Sequence, residues 1–144
     1  MSVAASTAEF DFLDLGYRPD LRVLTVRWLR PVSFVELQIG FRAALALNEH
    51  HHAALWLIDV RRRTELEAAS SAWVADHLLP DAAAAVAPGT LHVAYLLSPM
   101  RADELNRDAG LRTATASAQS AAQPYRLATF IDEGPALQWL LSRS

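Results

Sequence analysis

Asp59-Val60-Arg61-Arg62-Arg63-Thr64 places a carboxylate, three guanidiniums and a hydroxyl within six positions. The run follows an apolar stretch and precedes a helical pattern, and open α/β sheets bind ligands at that strand edge. Guanidiniums there, with the free backbone donors of the next helix, could hold a phosphate or a carboxylate. Asp59, Arg61, Arg62, Arg63 and Thr64 are therefore the candidate ligand-binding residues. The simpler account is a solvated loop whose charges offset Glu65 and Glu67, and it is favoured because a charge run alone carries no geometry. Asp59 ends a strand where carboxylates can be catalytic, but an ion pair with one of the arginines, or a tie to a helix N-terminus, explains it more simply. Thr64 stands three residues before Glu67, the spacing of a capping box, which accounts for its hydroxyl.

His50-His51-His52 offers imidazoles suited to zinc, nickel or copper. Adjacent residues at a helix end rarely point at one ion, and three imidazoles there complement the negative end of the helix dipole. His77 and His92 stand alone, which suits hydrogen-bonded packing better than a base or ligand. Ser70 and Ser71 sit mid-helix with no base at motif spacing. No Gly-x-Ser-x-Gly elbow, Gly-rich dinucleotide turn, P-loop or His-Glu-x-x-His pattern occurs. An enzyme pairing Asp59 with His77 or His92 is the third reading in order. The expectation is no catalytic set, no metal and no cofactor.

Composition narrows the chemistry further. The 144 residues include no cysteine and no lysine, and all 13 basic residues are arginine. Thiolate metal sites, cysteine nucleophiles, Schiff bases and the P-loop lysine are thereby excluded. A net charge of −3 and a pI near 5.9 argue against nucleic acid, whose binding draws on clustered excess positive charge. The uncharged stretch from Ala82 to Met100 is broken by Pro88, Gly89 and Pro99, so it makes no membrane helix. Residues 1–8 lack the basic and apolar regions of a signal peptide, and a cytoplasmic protein is expected. The chain length suits a single domain over residues 10–144 after a flexible N-terminus at 1–9.

The elements that must position these residues read as follows. Strands over Phe10–Leu15 and Leu21–Leu29 flank a turn cluster at Gly16–Asp20 and form an antiparallel hairpin. Ser33 and Glu36 make a capping box, after which Phe34, Leu37, Phe41, Ala44 and Leu45 share one helical face. Ala53–Val60 and Leu91–Leu97 are continuous apolar runs, the mark of strands covered on both faces. Between them Thr64, Leu66, Ala69 and Trp73 predict a helix that Pro80 stops. Ser98-Pro99 starts another, with Gly110 as its terminator. Leu111–Gln123 has little to bury and takes no element. Leu127–Ile131 predicts a strand, and Pro135–Ser142 a helix with a stripe of Leu137, Leu140 and Leu141. Trp28, Trp56, Trp73 and Trp139 fall on four elements and form either one core cluster or an apolar pocket. Strands alternating with helices require an α/β fold with a mixed, mostly parallel sheet of about five strands.

Leu55-Trp56-Leu57-Ile58-Asp59 with Arg61, then Trp73 and Pro80, His92-Val93-Ala94-Tyr95, and Phe130–Asp132 leading into Ala136-Leu137-Gln138-Trp139-Leu140 together resemble the SpoIIAA-like group of bacterial proteins. That group is similar to the STAS domain, the sulfate transporter and anti-sigma factor antagonist, and shares its fold with CRAL-TRIO lipid-binding domains. The resemblance spans about Phe10 to Leu141 and rests on dispersed apolar landmarks. It implies a β-α superhelical domain without enzymatic activity, acting in regulation through a protein partner or as a homodimer. STAS antagonists carry an Asp-Ser pair after the corresponding strand, and the Ser is phosphorylated. Here Asp59 is followed by Val60, and the pair is missing. The alternative is a carrier or sensor of a small amphipathic or anionic ligand held near Arg61–Thr64 and the tryptophans.

Overall fold

The computed structural model of the chain describes residues 8–62, 68–108 and 124–143. In chain order these form β1 (Ala8–Glu9), β2 (Leu13–Arg18), β3 (Val23–Trp28), α1 (Phe34–His51), β4 (Leu55–Asp59), α2 (Ala68–Trp73), a π turn (Val74–Leu78), α3 (Leu79–Val86), β5 (Leu91–Leu96), α4 (Pro99–Arg107), β6 (Tyr125–Phe130) and α5 (Glu133–Leu141). The strands of the described residues make one sheet in the order β1-β2-β3-β4-β5-β6. β1/β2 and β2/β3 are antiparallel, and the remaining pairs are parallel. This is the expected α/β fold, with the two-residue β1 added at one edge.

The opening hairpin lies further along the chain than its composition suggests. Gly16, Tyr17 and Arg18 pair with Thr25, Leu24 and Val23 in the ladder, so the turn falls at residues 19–22 and not at Gly16–Asp20. Pro19 has no N–H to give a ladder, which fixes where pairing stops. Arg18 O then accepts from Leu21 N at 3.2 Å and Arg22 N at 2.7 Å, and Arg22 takes the left-handed φ of 59° that closes the turn.

Each parallel crossover moves one strand in the same direction. Leu37, Phe41 and Ala44 of α1, Leu78 at the end of the π turn, and Leu79 and Ala82 of α3 pack with Leu24, Val26, Trp28, Trp56, Ile58 and Val93 on one face of the sheet. Ala102 of α4 packs against the same cluster. On the other face Val23, Leu55, Leu57, Ala94 and Leu96 are covered by Ala136 and Leu140 of α5. Helices on the same side after successive steps in one direction give the crossovers a single hand. All five residues of β4 are buried, as its unbroken apolar run requires. The tryptophans do not converge: Trp28, Trp56 and Trp73 belong to the α1/α3 face, and Trp139 belongs to the α5 face. The α5 stripe is Ala136 and Leu140 with Leu137 half-buried, while Leu141 is exposed.

Local signals account for the helix starts. Ser33 Oγ accepts from Glu36 N at 3.1 Å and Glu36 Oε1 accepts from Ser33 N at 2.9 Å, which completes the capping box of α1. Ser98 Oγ accepts from Arg101 N at 3.1 Å at the start of α4, where Pro99 occupies the first turn. α4 ends at Arg107, before Gly110, which lies outside the described residues, as do Thr64, Glu67 and Leu111–Gln123. Gly40 lets α1 approach the sheet: a Cβ there would stand 2.7 Å from Trp28 Cη2 and 2.9 Å from Leu13 Cδ2.

Pro80 does not stop its helix. It stands at the start of α3, directly after the π turn. Leu79 N donates five residues back to Val74 O, and in that register the next donor would be Pro80, facing Ala75 O. Proline has no N–H. Ala75 O is satisfied instead by the Tyr125 hydroxyl of β6 at 3.1 Å. The widened turn thus carries the chain past a residue that would clash with a regular α-helix. Among the described residues no helix is long and apolar enough to cross a membrane.

Candidate functional site

The parallel register brings Arg27 beside Asp59, Asp59 beside Leu96 and Leu96 beside Phe130. These residues mark the carboxyl edge of the sheet. Asp59 is the last residue of β4, and its side chain is only 5% exposed. Its Oδ1 accepts from the Arg61 backbone N and from Arg61 Nε, both at 3.0 Å. Its Oδ2 accepts from Arg61 Nη2 at 2.8 Å and from Arg27 Nη1 at 2.6 Å. Arg61 therefore grips Asp59 through a two-pronged fork while Arg27 closes the other side. Glu133, in the first turn of α5, accepts from Arg27 Nη1 at 3.1 Å and stands 3.7 Å from Arg61 Nη2.

Burial pushes the Asp59 carboxyl up, but the side-chain and backbone hydrogen bonds of Arg61 and the charges of Arg61 and Arg27 prevail, so its pKa lies below the ordinary carboxylate value. The Arg61 pKa is raised, chiefly by its hydrogen bonds to Asp59, with burial opposing and the charges of Asp59, Glu133 and Asp132 assisting. Asp59 is thus ionised at neutral pH, and every bond to it comes from an arginine. This arrangement works as a charge clasp joining β3, β4 and α5, and it makes Asp59 a poor proton acceptor.

Of the five candidate residues, Asp59 and Arg61 meet directly. Arg62 is exposed, and Arg63 and Thr64 lie outside the described residues. The loop after β4 is anchored by buried Val60, whose N donates to Leu96 O at 2.9 Å. Arg27 and Glu133 complete the clasp and were not among the expected residues. A lone arginine near the end of an apolar strand is a signal for Arg27 once a parallel register with Asp59 is assumed. Glu133 gives no comparable signal, because it reaches the clasp only through the return of α5.

Beside the clasp, an open depression of ≈ 350 Å³ is lined by Leu97, Ala102, Thr129, Phe130, Ile131, Asp132 and Pro135. It shares the turn carrying Glu133. Met100 and Ile131, 73% and 47% exposed, present apolar side chains to solvent along this edge.

The histidines lie elsewhere. His92 pairs with Leu55 at the opposite end of β4 and β5, four residues or roughly 13 Å along the strand from the Asp59 register. The pairing of Asp59 with His92 is therefore not formed. His92 packs edge-on against Trp139 at 5.6 Å, and its ring nitrogen Nδ1 lies 3.3 Å from Thr90 O. Burial first, then the charges of Arg143 and Arg126, lower its pKa against the opposing hydrogen bond to Thr90. His77 is exposed on the π turn. In the histidine run, His51 stacks on Tyr17 at 4.1 Å, and His52 ends α1 in the left-handed conformation with its N donating to Asn48 O at 2.6 Å. Among the described residues no group of three or more His, Asp or Glu side chains is placed to hold a metal.

Set against known proteins, the chain matches no family model, no curated protein and no solved structure.

Proposed function

We propose that this protein is a non-enzymatic regulatory domain that works by protein contact, in the manner implied by its resemblance to SpoIIAA-like and STAS proteins. The observation that carries this reading is the exposure of Met100 and Ile131 at the carboxyl edge of the sheet, where Ile131 also lines an open depression. Solvent-facing apolar side chains gathered at one edge favour a macromolecular contact. The clasp supports the same reading, since its one buried carboxylate is engaged by two guanidiniums and has no nucleophile or imidazole among its hydrogen-bond partners. A carrier of a small amphipathic ligand is less well supported. Trp28 and Trp56 are fully buried core residues, and no tryptophan lines the depression beside the clasp.

The test is a photo-crosslinking amino acid in place of Met100, with the same group in place of Arg18 as control. Arg18 is exposed at the opposite end of the sheet. The expected result in native lysate is a discrete protein adduct, of another protein or of a second copy, from position 100 and not from position 18. Equal labelling at both positions overturns the reading. Native mass spectra of fresh protein that retain a stoichiometric small molecule overturn it in favour of the carrier.

A further inference from the structure

We infer that Arg27 and Arg61 form a receiving fork for an acidic side chain of the partner, with Glu133 as its resting occupant and the adjoining depression as the seat of an apolar neighbour of that acid. The inference rests on the protein-contact reading. Its basis is the unequal hold on the two carboxylates. Asp59 is buried and sits 2.6–3.0 Å from its four arginine donors. Glu133 is 40% exposed and lies 3.1 and 3.7 Å from the same two guanidiniums.

Asp59 therefore fixes the inner side of the fork, so the guanidiniums are held in place before any ligand arrives. Glu133 is bound in a partly exposed ion pair, held less firmly than Asp59 because water reaches its carboxylate and screens the attraction. A second carboxylate of matching geometry exchanges with it at little cost. The exchange leaves the charge on the fork unchanged. Asp132, whose charge acts on Arg61, disfavours adding an anion without releasing Glu133, so one acid enters as the other leaves. The depression begins on the same turn, through Asp132 and Pro135, and Leu97, Phe130 and Ile131 give it an apolar lining. An acidic residue adjacent to a leucine-sized side chain fits both features.

The experiment titrates the full chain with acetyl-Leu-Asp-amide, acetyl-Leu-Asn-amide and acetate, following the Arg27 and Arg61 Nε–H resonances and the Ile131 methyls by NMR. The aspartyl probe is expected to move both sets, with the asparaginyl probe and acetate each at least about fivefold weaker. Glu133→Ala, which removes the competitor, is expected to bind the aspartyl probe about three- to fivefold more tightly. Glu133→Gln is the second variant should the alanine variant lose its fold by circular dichroism, and the same direction is expected. Equal binding of the aspartyl and asparaginyl probes, equal binding of acetate, or unchanged affinity in the Glu133 variant overturns the fork. If the position 100 adduct persists in that case, protein contact stands and only the acidic chemistry falls; if both fail, both fall.

Discussion

Tyr125→Phe removes one oxygen, and its effect follows from the π turn. Tyr125 is fully buried and its hydroxyl donates to Ala75 O, the carbonyl that the π register aims at the missing N–H of Pro80. Without the hydroxyl that carbonyl loses its donor where water has little access, a loss of about 1–3 kcal/mol. The phenylalanine ring keeps the packing of β6, so the expected destabilisation is about 2 kcal/mol, the middle of that range. Pro80→Ala supplies an amide in the same place. The double variant should recover about 1 kcal/mol relative to the sum of the single changes, because the new N–H can satisfy Ala75 O. The cycle also removes the separate effect of losing proline from the unfolded chain. Urea denaturation followed by far-UV circular dichroism gives the four free energies. Full additivity of the two substitutions, or a Tyr125→Phe change below about 0.3 kcal/mol, would refute the assignment of Tyr125 as the donor that Pro80 lacks.

Two further outcomes follow from the packing and the clasp. Gly40→Ala adds a methyl 2.7 Å from the Trp28 ring, so overpacking of about 1–3 kcal/mol should outweigh the helix-propensity gain of about 1 kcal/mol; thermal melts should show a lower midpoint. The folded Asp59 pKa lies below its ordinary value, so its stabilisation is present above the unfolded pKa of about 3.9 and is lost as pH falls through the lower folded value. Asp59→Asn should therefore cost about 2 kcal/mol at pH 7, discounted because both arginines are partly exposed, with the difference shrinking below about pH 4 in urea titrations. A constant difference from pH 7 to pH 2 would contradict the clasp.

What could be read from the sequence had partners close in the chain. The Ser33–Glu36 box and the Ser98–Pro99 start close within four residues, and β4 announces itself by being apolar throughout. The same locality explains Asp59 with Arg61, two positions apart. Arg27 and Glu133 stand 32 and 106 positions from their partners in the clasp, and only the strand register and the return of α5 bring them in. Pro80 misled for the same reason. Its compensation is a hydroxyl on β6, which no local rule anticipates. The hairpin slipped because Gly16 and Tyr17 resemble turn residues, whereas burial of Leu13 and Leu15 against the core decides the pairing.

The uneven covering of the sheet bears on the order in which the protein can be made. The helices of the α1/α3 face are interleaved with the strands, so β3, β4 and β5 are each followed by a helix on that side as they emerge from the ribosome. Among the described residues the opposite face is covered by α5 alone, which follows all six strands. Until α5 is synthesised and docks, Val23, Leu55, Leu57, Ala94 and Leu96 form a bare apolar surface on a nascent sheet, the kind of surface that recruits chaperones or drives aggregation. Docking of Ala136 and Leu140 is thus the step that takes this surface out of water.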